Sequence, residues 1–241
     1  MDKALVTTAF VLVPGILLAL GFKLAGKKVN WPALAWAGFA ILVYFLLLRG
    51  GSLIPKPAFM EGLTPNWAGK TLSLAGTLLM LYFLRRVSFK EAGFTWKQNK
   101  GSLRPVIITG AMTLFFAVAS AIAFAPSPNA TFENLLFQAT MPGLDEEFFF
   151  RGLFLLLLTQ AFGKGLKIFG AETGWGFWLV VVIFGLGHGF SFEGGEIAVN
   201  YAAIVFTGLI GFVLTWMRER TGSLLVPVLF HNIFNFANSF V

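Results

Sequence analysis

The chain holds two histidines, His188 and His231, and both lie in otherwise apolar runs. Glu146, Glu147 and Arg151 also sit in an apolar run, as do Asn232 and Asn235 beside His231. An ionisable side chain at membrane depth costs about 3 kcal/mol or more unless it is paired or hydrated, so these residues need a reason to be there. Glu147 and Arg151 are four apart, share a helix face and can form an ion pair that keeps a carboxylate charged and fixes its rotamer. Glu146 is rotated from its neighbour by about 100° on a helix. It can therefore point into a cavity while Glu147 is held. His231 and Asn235 are again four apart, so an imidazole and an amide can donate to one oxygen. A carboxylate of this kind can take and return a proton as a general acid–base group, and two such donors can hold one oxygen. Glu146, His188 and His231 also form a His₂Glu set that zinc would accept, although the helical H-E-x-x-H that usually delivers such ligands is absent. The plainer readings are an ion pair that holds a bundle together, a packing histidine, and, in Gly185, Gly187 and Gly189, glycines that let helices approach.

These groups are expected on three separate helices. Apolar runs recur at 4–22, 31–48, 71–84, 106–125, 144–162, 175–190, 197–217 and 223–241, and each is near the roughly 20 residues that cross a bilayer. The third and sixth are short, and are expected to begin in interfacial residues such as Trp67 or to end within the membrane. With 57% hydrophobic residues, 12% charged and a mean hydropathy of +0.79, the chain departs from soluble domains, in which about a quarter of residues are charged. The fold class expected is an all-α integral membrane protein, a single transmembrane domain over 1–241 with about eight transmembrane helices and a polar intramembrane cavity. Its core, 144–241, carries the chemistry. Asp145 to Arg151 would open the fifth helix, whose dipole favours the anion. Asp145 itself would cap that helix or face water. Pro227 would kink the eighth helix below His231.

Lys23, Lys27, Lys28, the basic residues of 85–104, Lys164, Lys167, Arg218 and Arg220 fall in alternate loops, whereas Lys3, Arg49, Lys56 and Lys70 fall in the others. Basic residues favour the cytoplasmic side, so both termini and the site are expected on the extracytoplasmic side. The net charge of +7 then reports orientation and not nucleic-acid binding. The first run is too long for a signal core and has no positive leader, so it is read as a retained helix. The absence of cysteine removes thiolate and disulfide chemistry. Ser127-Pro128-Asn129 reads as a turn, followed over 131–139 by a short surface helix, either a packed loop helix or a gate over the site.

Glu146-Glu147-Phe148-Phe149-Phe150-Arg151 fits E-E-x-x-x-R, Phe184-Gly185-Leu186-Gly187-His188 fits F-x-x-x-H, and His231-Asn232-Ile233-Phe234-Asn235 fits H-x-x-x-N. In this order, in three apolar runs, they resemble the type II CAAX prenyl endopeptidase and bacteriocin-processing (CPBP, Abi) family of glutamate-type intramembrane proteases. The resemblance covers roughly 144–241. It implies that Glu146 and His188 activate water, that Glu147 and Arg151 support them, and that His231 and Asn235 stabilise the oxyanion. It further implies a membrane-anchored or lipidated protein or peptide as substrate, the lipid bilayer as surroundings, a prokaryotic cytoplasmic membrane, and no required cofactor, with zinc as the alternative. The competing functions are a non-enzymatic membrane scaffold or immunity protein, and an ion- or proton-coupled transporter; the paired broken helices of transporters are not seen.

Overall fold

Long apolar runs with few breakers leave the backbone to bond within its own segment. The computed structural model describes residues 3–51, 64–84, 87–124, 130–193 and 196–240. Its helices are α1 (Lys3–Leu24), α2 (Trp31–Gly50), α3 (Trp67–Phe83), α4 (Leu103–Phe124), α5 (Phe132–Glu146), α6 (Leu155–Phe162), α7 (Trp175–Gly189), α8 (Tyr201–Thr221) and α9 (Leu225–Asn238). A π-helical segment, Glu147–Phe154, joins α5 to α6 in one continuous path, so the described helices form eight stretches. Two of them, α2 and α8, are long and apolar enough to cross a membrane. Asn30, Asn66, Thr131 and Asn200 each cap a helix by accepting a backbone N–H at its first turn.

The structure corrects several expectations. The fifth helix begins at Phe132, so the segment over 131–139 is its first part and no separate surface helix; the turn at 127–129 lies outside the described residues. Asp145, Glu146 and Glu147 therefore occupy the middle of a helical path, where no helix N-terminus favours their charge. Pro142 and Gly143, both helix breakers, do not stop this helix. Pro142 has no N–H to give, and the Gly143 N–H finds Asn232 Oδ1 on α9 at 2.7 Å. Pro227 sits in the first turn of α9, where a missing N–H costs nothing, so it starts the helix and kinks nothing.

Two antiparallel hairpins replace predicted loop and helix, β1 (Leu166–Ile168) with β2 (Ala171–Thr173) and β3 (Phe190–Glu193) with β4 (Glu196–Val199). Phe169 and Gly170, with φ of 44° and 79°, make the two-residue turn that right-handed strand twist favours.

Packing brings the motif-bearing helices together. A Cβ on Gly185 would lie 2.7 Å from the Ile204 carbonyl oxygen, and one on Gly189 2.7 Å from that of Asn200, so these glycines allow α7 to lie against α8. Tyr44 of α2 stacks on Phe149 of the π segment with ring centres 4.0 Å apart. At one end of the bundle Arg218 donates to Glu91 O at 2.7 Å, Arg220 to Gly101 O at 3.1 Å, and Lys164 pairs with Glu219 at 2.6 Å. Basic residues assigned to one side by the charge count therefore share one end of the molecule.

Candidate active site

Glu147 opens the π segment and is fully buried, as is Arg151. Arg151 Nη1 lies 2.9 Å from Glu147 Oε1, and its other nitrogens donate to Thr215 Oγ1 at 3.2 Å and Gly211 O at 3.1 Å. The Phe184 ring covers the guanidinium at 4.2 Å. Such a charge is tolerated without water because it has an ion partner, neutral acceptors and a π face. Glycine at 211 is what admits it, since a Cβ there would stand 2.9 Å from Phe184 and 3.3 Å from Arg151 Nη2. Glu147 Oε1 also meets His231 Nδ1 at 2.7 Å. The carboxylate thus orients the ring and turns His231 Nε2 the other way.

That other way is toward Glu146. Its Oε2 is 4.0 Å from His231 Nε2 and 3.8 Å from His188 Nε2, and it has no hydrogen-bond partner among the described residues. His188 Nδ1 is 2.8 Å from the Phe184 carbonyl oxygen, which can only accept, so Nδ1 carries the proton and Nε2 faces Glu146. These groups line a cavity of about 520 Å³ together with Asn235, Lys70 and the amides of Asn134, Gln138 and Asn238. Separations of 3.8 and 4.0 Å suit one water or peptide oxygen held among three polar atoms.

Of the six residues singled out by spacing, Glu146, His188, His231 and Asn235 line the cavity; Glu147 and Arg151 lie behind them. The Asn235 amide has no hydrogen-bond partner among the described residues. Lys70 was expected as a loop charge outside the bundle. It is instead 9% exposed, with its ammonium on Glu146 Oε1 and 3.1 Å from Asp145 Oδ2. The reason is that α3 begins at Trp67, which places Lys70 in a turn facing α5. Asp145, expected to cap a helix or face water, is fully buried and also accepts from Tyr44 Oη at 2.8 Å and Ser73 Oγ at 2.6 Å. A signal was present: Lys70, Ser73 and Thr77 recur at i, i+3 and i+7, a polar stripe on an apolar helix that marks an inward face.

The class of protein so defined is a helical bundle that buries three consecutive carboxylates against an ammonium, a guanidinium and two imidazoles at the wall of a cavity. Residues 128–237 match the family model described as type II CAAX prenyl endopeptidase Rce1-like, the family that the three motifs resemble. The match covers 110 of the 241 residues. It spans α5 to α9 and leaves out Tyr44, Lys70 and Ser73. No curated protein and no solved structure matches the chain.

Proposed function

We propose that the chain is an intramembrane endopeptidase, a single domain of eight membrane-crossing helices, that cleaves a membrane-anchored or lipidated protein with Glu146 as the base. The observation that carries this reading is the free Oε2 of Glu146 turned toward both imidazole Nε2 atoms at the cavity wall. A water among these atoms gives its proton to Glu146 while its oxygen adds to the scissile carbonyl carbon, and His188 Nε2 orients that water. The oxyanion accepts from Asn235 and from His231. For His231 to donate through Nε2 it must carry protons on both nitrogens. Glu147, on Nδ1, supplies the counter-charge when Nε2 also carries a proton. Glu146 then returns its proton to the leaving amine as the C–N bond breaks, which gives a free carboxylate and an amine. Binding needs no cofactor, and nucleic acid is no partner. The charge distribution supports both termini and the site on the extracytoplasmic side of a prokaryotic membrane.

One feature favours a second reading, zinc on Glu146, His188 and His231, because ligating histidines characteristically commit the other ring nitrogen to a carboxylate or carbonyl, as both do here. The ammonium of Lys70 on the same carboxylate opposes it, and no three His, Asp or Glu side chains among the described residues have the geometry of a cation site.

Cleavage of a panel of membrane-anchored and prenylated peptides by detergent-purified protein tests the reading. Loss of cleavage in Glu146→Gln and His231→Ala, with folding intact and no effect of chelator on the wild type, is expected. Chelator inactivation reversed by stoichiometric zinc would establish the metal reading. Full cellular function in both variants would point to the scaffold.

A further inference from the structure

We propose that Lys70 is a positioning residue for Glu146, the fixed cation that decides which carboxylate oxygen faces the histidines; this rests on Glu146 as the base. Lysine usually runs its stem along apolar surface and keeps its ammonium in water. Lys70 does the opposite. With its side chain 11% exposed, it turns inward from the first turn of α3 and ends between two adjacent carboxylates on α5.

The two carboxylates are not equivalent. Asp145 is closed off, since Tyr44 and Ser73 donate to it and it accepts Lys70 at 3.1 Å, all within buried surroundings. It anchors the ammonium and reaches nothing in the cavity. Glu146 receives the same ammonium on Oε1, which leaves Oε2 as its one unpartnered oxygen. The order of contacts is Tyr44 and Ser73 to Asp145, Asp145 to Lys70, Lys70 to Glu146, and Glu146 toward His188 and His231. Helices α2 and α3, outside the matched 128–237, thereby fix the rotamer of a carboxylate inside it. Arg151, the other buried Lys or Arg facing this cluster among the described residues, is already committed to Glu147, Thr215 and Gly211, so it cannot take over this task.

A lysine that merely ties α3 to α5 would affect folding and nothing else. A positioning lysine predicts that Lys70→Met lowers kcat about 10²-fold with KM unchanged, the usual cost of a misplaced reacting group. Because the chain has no cysteine, Lys70→Cys offers a unique thiol at the cavity wall. Alkylation with 2-bromoethylamine restores an ammonium at nearly the lysine length, and alkylation with iodoethane adds a neutral group. Recovery of kcat with the aminoethyl group alone supports the proposal; equal recovery with both, or wild-type kcat in folded Lys70→Met, overturns it. Infrared spectroscopy supplies a readout that does not depend on cleavage. Without the ammonium, one of two adjacent buried carboxyls takes up a proton at neutral pH. Lys70→Met should then show a carboxylic-acid carbonyl band that the wild type lacks and that Lys70→Met with Glu146→Gln loses. If that band appears while the wild type cleaves no peptide, Lys70 holds Glu146 as proposed and the protease reading fails. A folded Lys70→Met without the band overturns the role of Lys70.

Discussion

Glu146 and Glu147 are neighbours in sequence, each leaves its Oε2 without a hydrogen-bond partner among the described residues, and each has a cation on Oε1. Their surroundings part them. The Glu147 region is sealed, with Arg151 and Thr215 fully buried around it and His231 presenting only Nδ1. The Glu146 region opens on a cavity and faces two Nε2 atoms. One helical step therefore converts a carboxylate that can only hold neighbours in place into one that can exchange a proton with something that enters. Chemical identity does not assign the roles; the side of the helix does.

The largest effect is expected at Glu146. Replacement by Gln keeps the size and a partner for Lys70 but removes the proposed base, and cleavage should fall 10²- to 10⁴-fold, about the contribution of a positioned acid–base group. The Lys70 ammonium keeps Asp145 as its ion partner, so the apparent Tm should fall less than in Arg151→Met. A variant that cleaves at the wild-type rate would return Glu146 to the status of its neighbour.

On the sealed side the expected loss is in stability. Arg151→Met removes the partner of a fully buried carboxylate and leaves two acceptors, Thr215 Oγ1 and Gly211 O, without their donor. Breaking a buried pair from one side costs about 3 to 5 kcal/mol, read as a large fall in apparent Tm in detergent. Replacing both residues, Glu147→Leu with Arg151→Met, should cost less than the single change, because no buried carboxylate is then left without its guanidinium, although His231 Nδ1 loses its acceptor. If the single variant is as stable as the wild type, the two regions do not differ as described.

Asn235 sits between these cases, on the cavity wall but without charge. Loss of one oxyanion donor typically lowers kcat about 10²- to 10³-fold, so Asn235→Ala should fall in that range with KM nearly constant. A change in KM alone would make Asn235 a substrate-binding amide and leave His231 as the single donor to the oxyanion.

Legibility followed the same division. Glu147–Arg151, Phe184–His188 and His231–Asn235 were visible because each pair lies on one helix, where spacing converts directly into a shared face. The eight helical stretches were visible because hydropathy needs no partner to be read. Lys70 and Asp145 were misplaced because a count of charges in loops does not say which way a side chain turns, and their contacts join residues 75 apart in sequence. The start of α5 was misplaced because Pro142 and Gly143 are helix breakers locally, and the group that repairs the break, Asn232, is 89 residues away. The shift to π bonding at Glu147 and the two hairpins have no apolar period to announce them.

The smallest effect is expected at Gly143, which acts from outside both carboxylate regions. A Cβ at 143 would stand 2.5 Å from Asn232 Oδ1 and 2.6 Å from the Val228 carbonyl oxygen. The amide could rotate aside, but the backbone carbonyl could not, so α9 itself must move. Overpacking of this kind costs about 1 to 3 kcal/mol. Because α9 also carries His231 and Asn235, Gly143→Ala should lower kcat along with the apparent Tm. Gly208→Ala on α8 is the control: nothing lies within 4 Å of an added Cβ there, and neither quantity should change. If Gly143→Ala lowers Tm but leaves kcat at the wild-type value, α9 can shift without disturbing the reacting groups, and the site is held by Glu147 and its hydrogen bond to His231 instead of by the packing of α5 on α9.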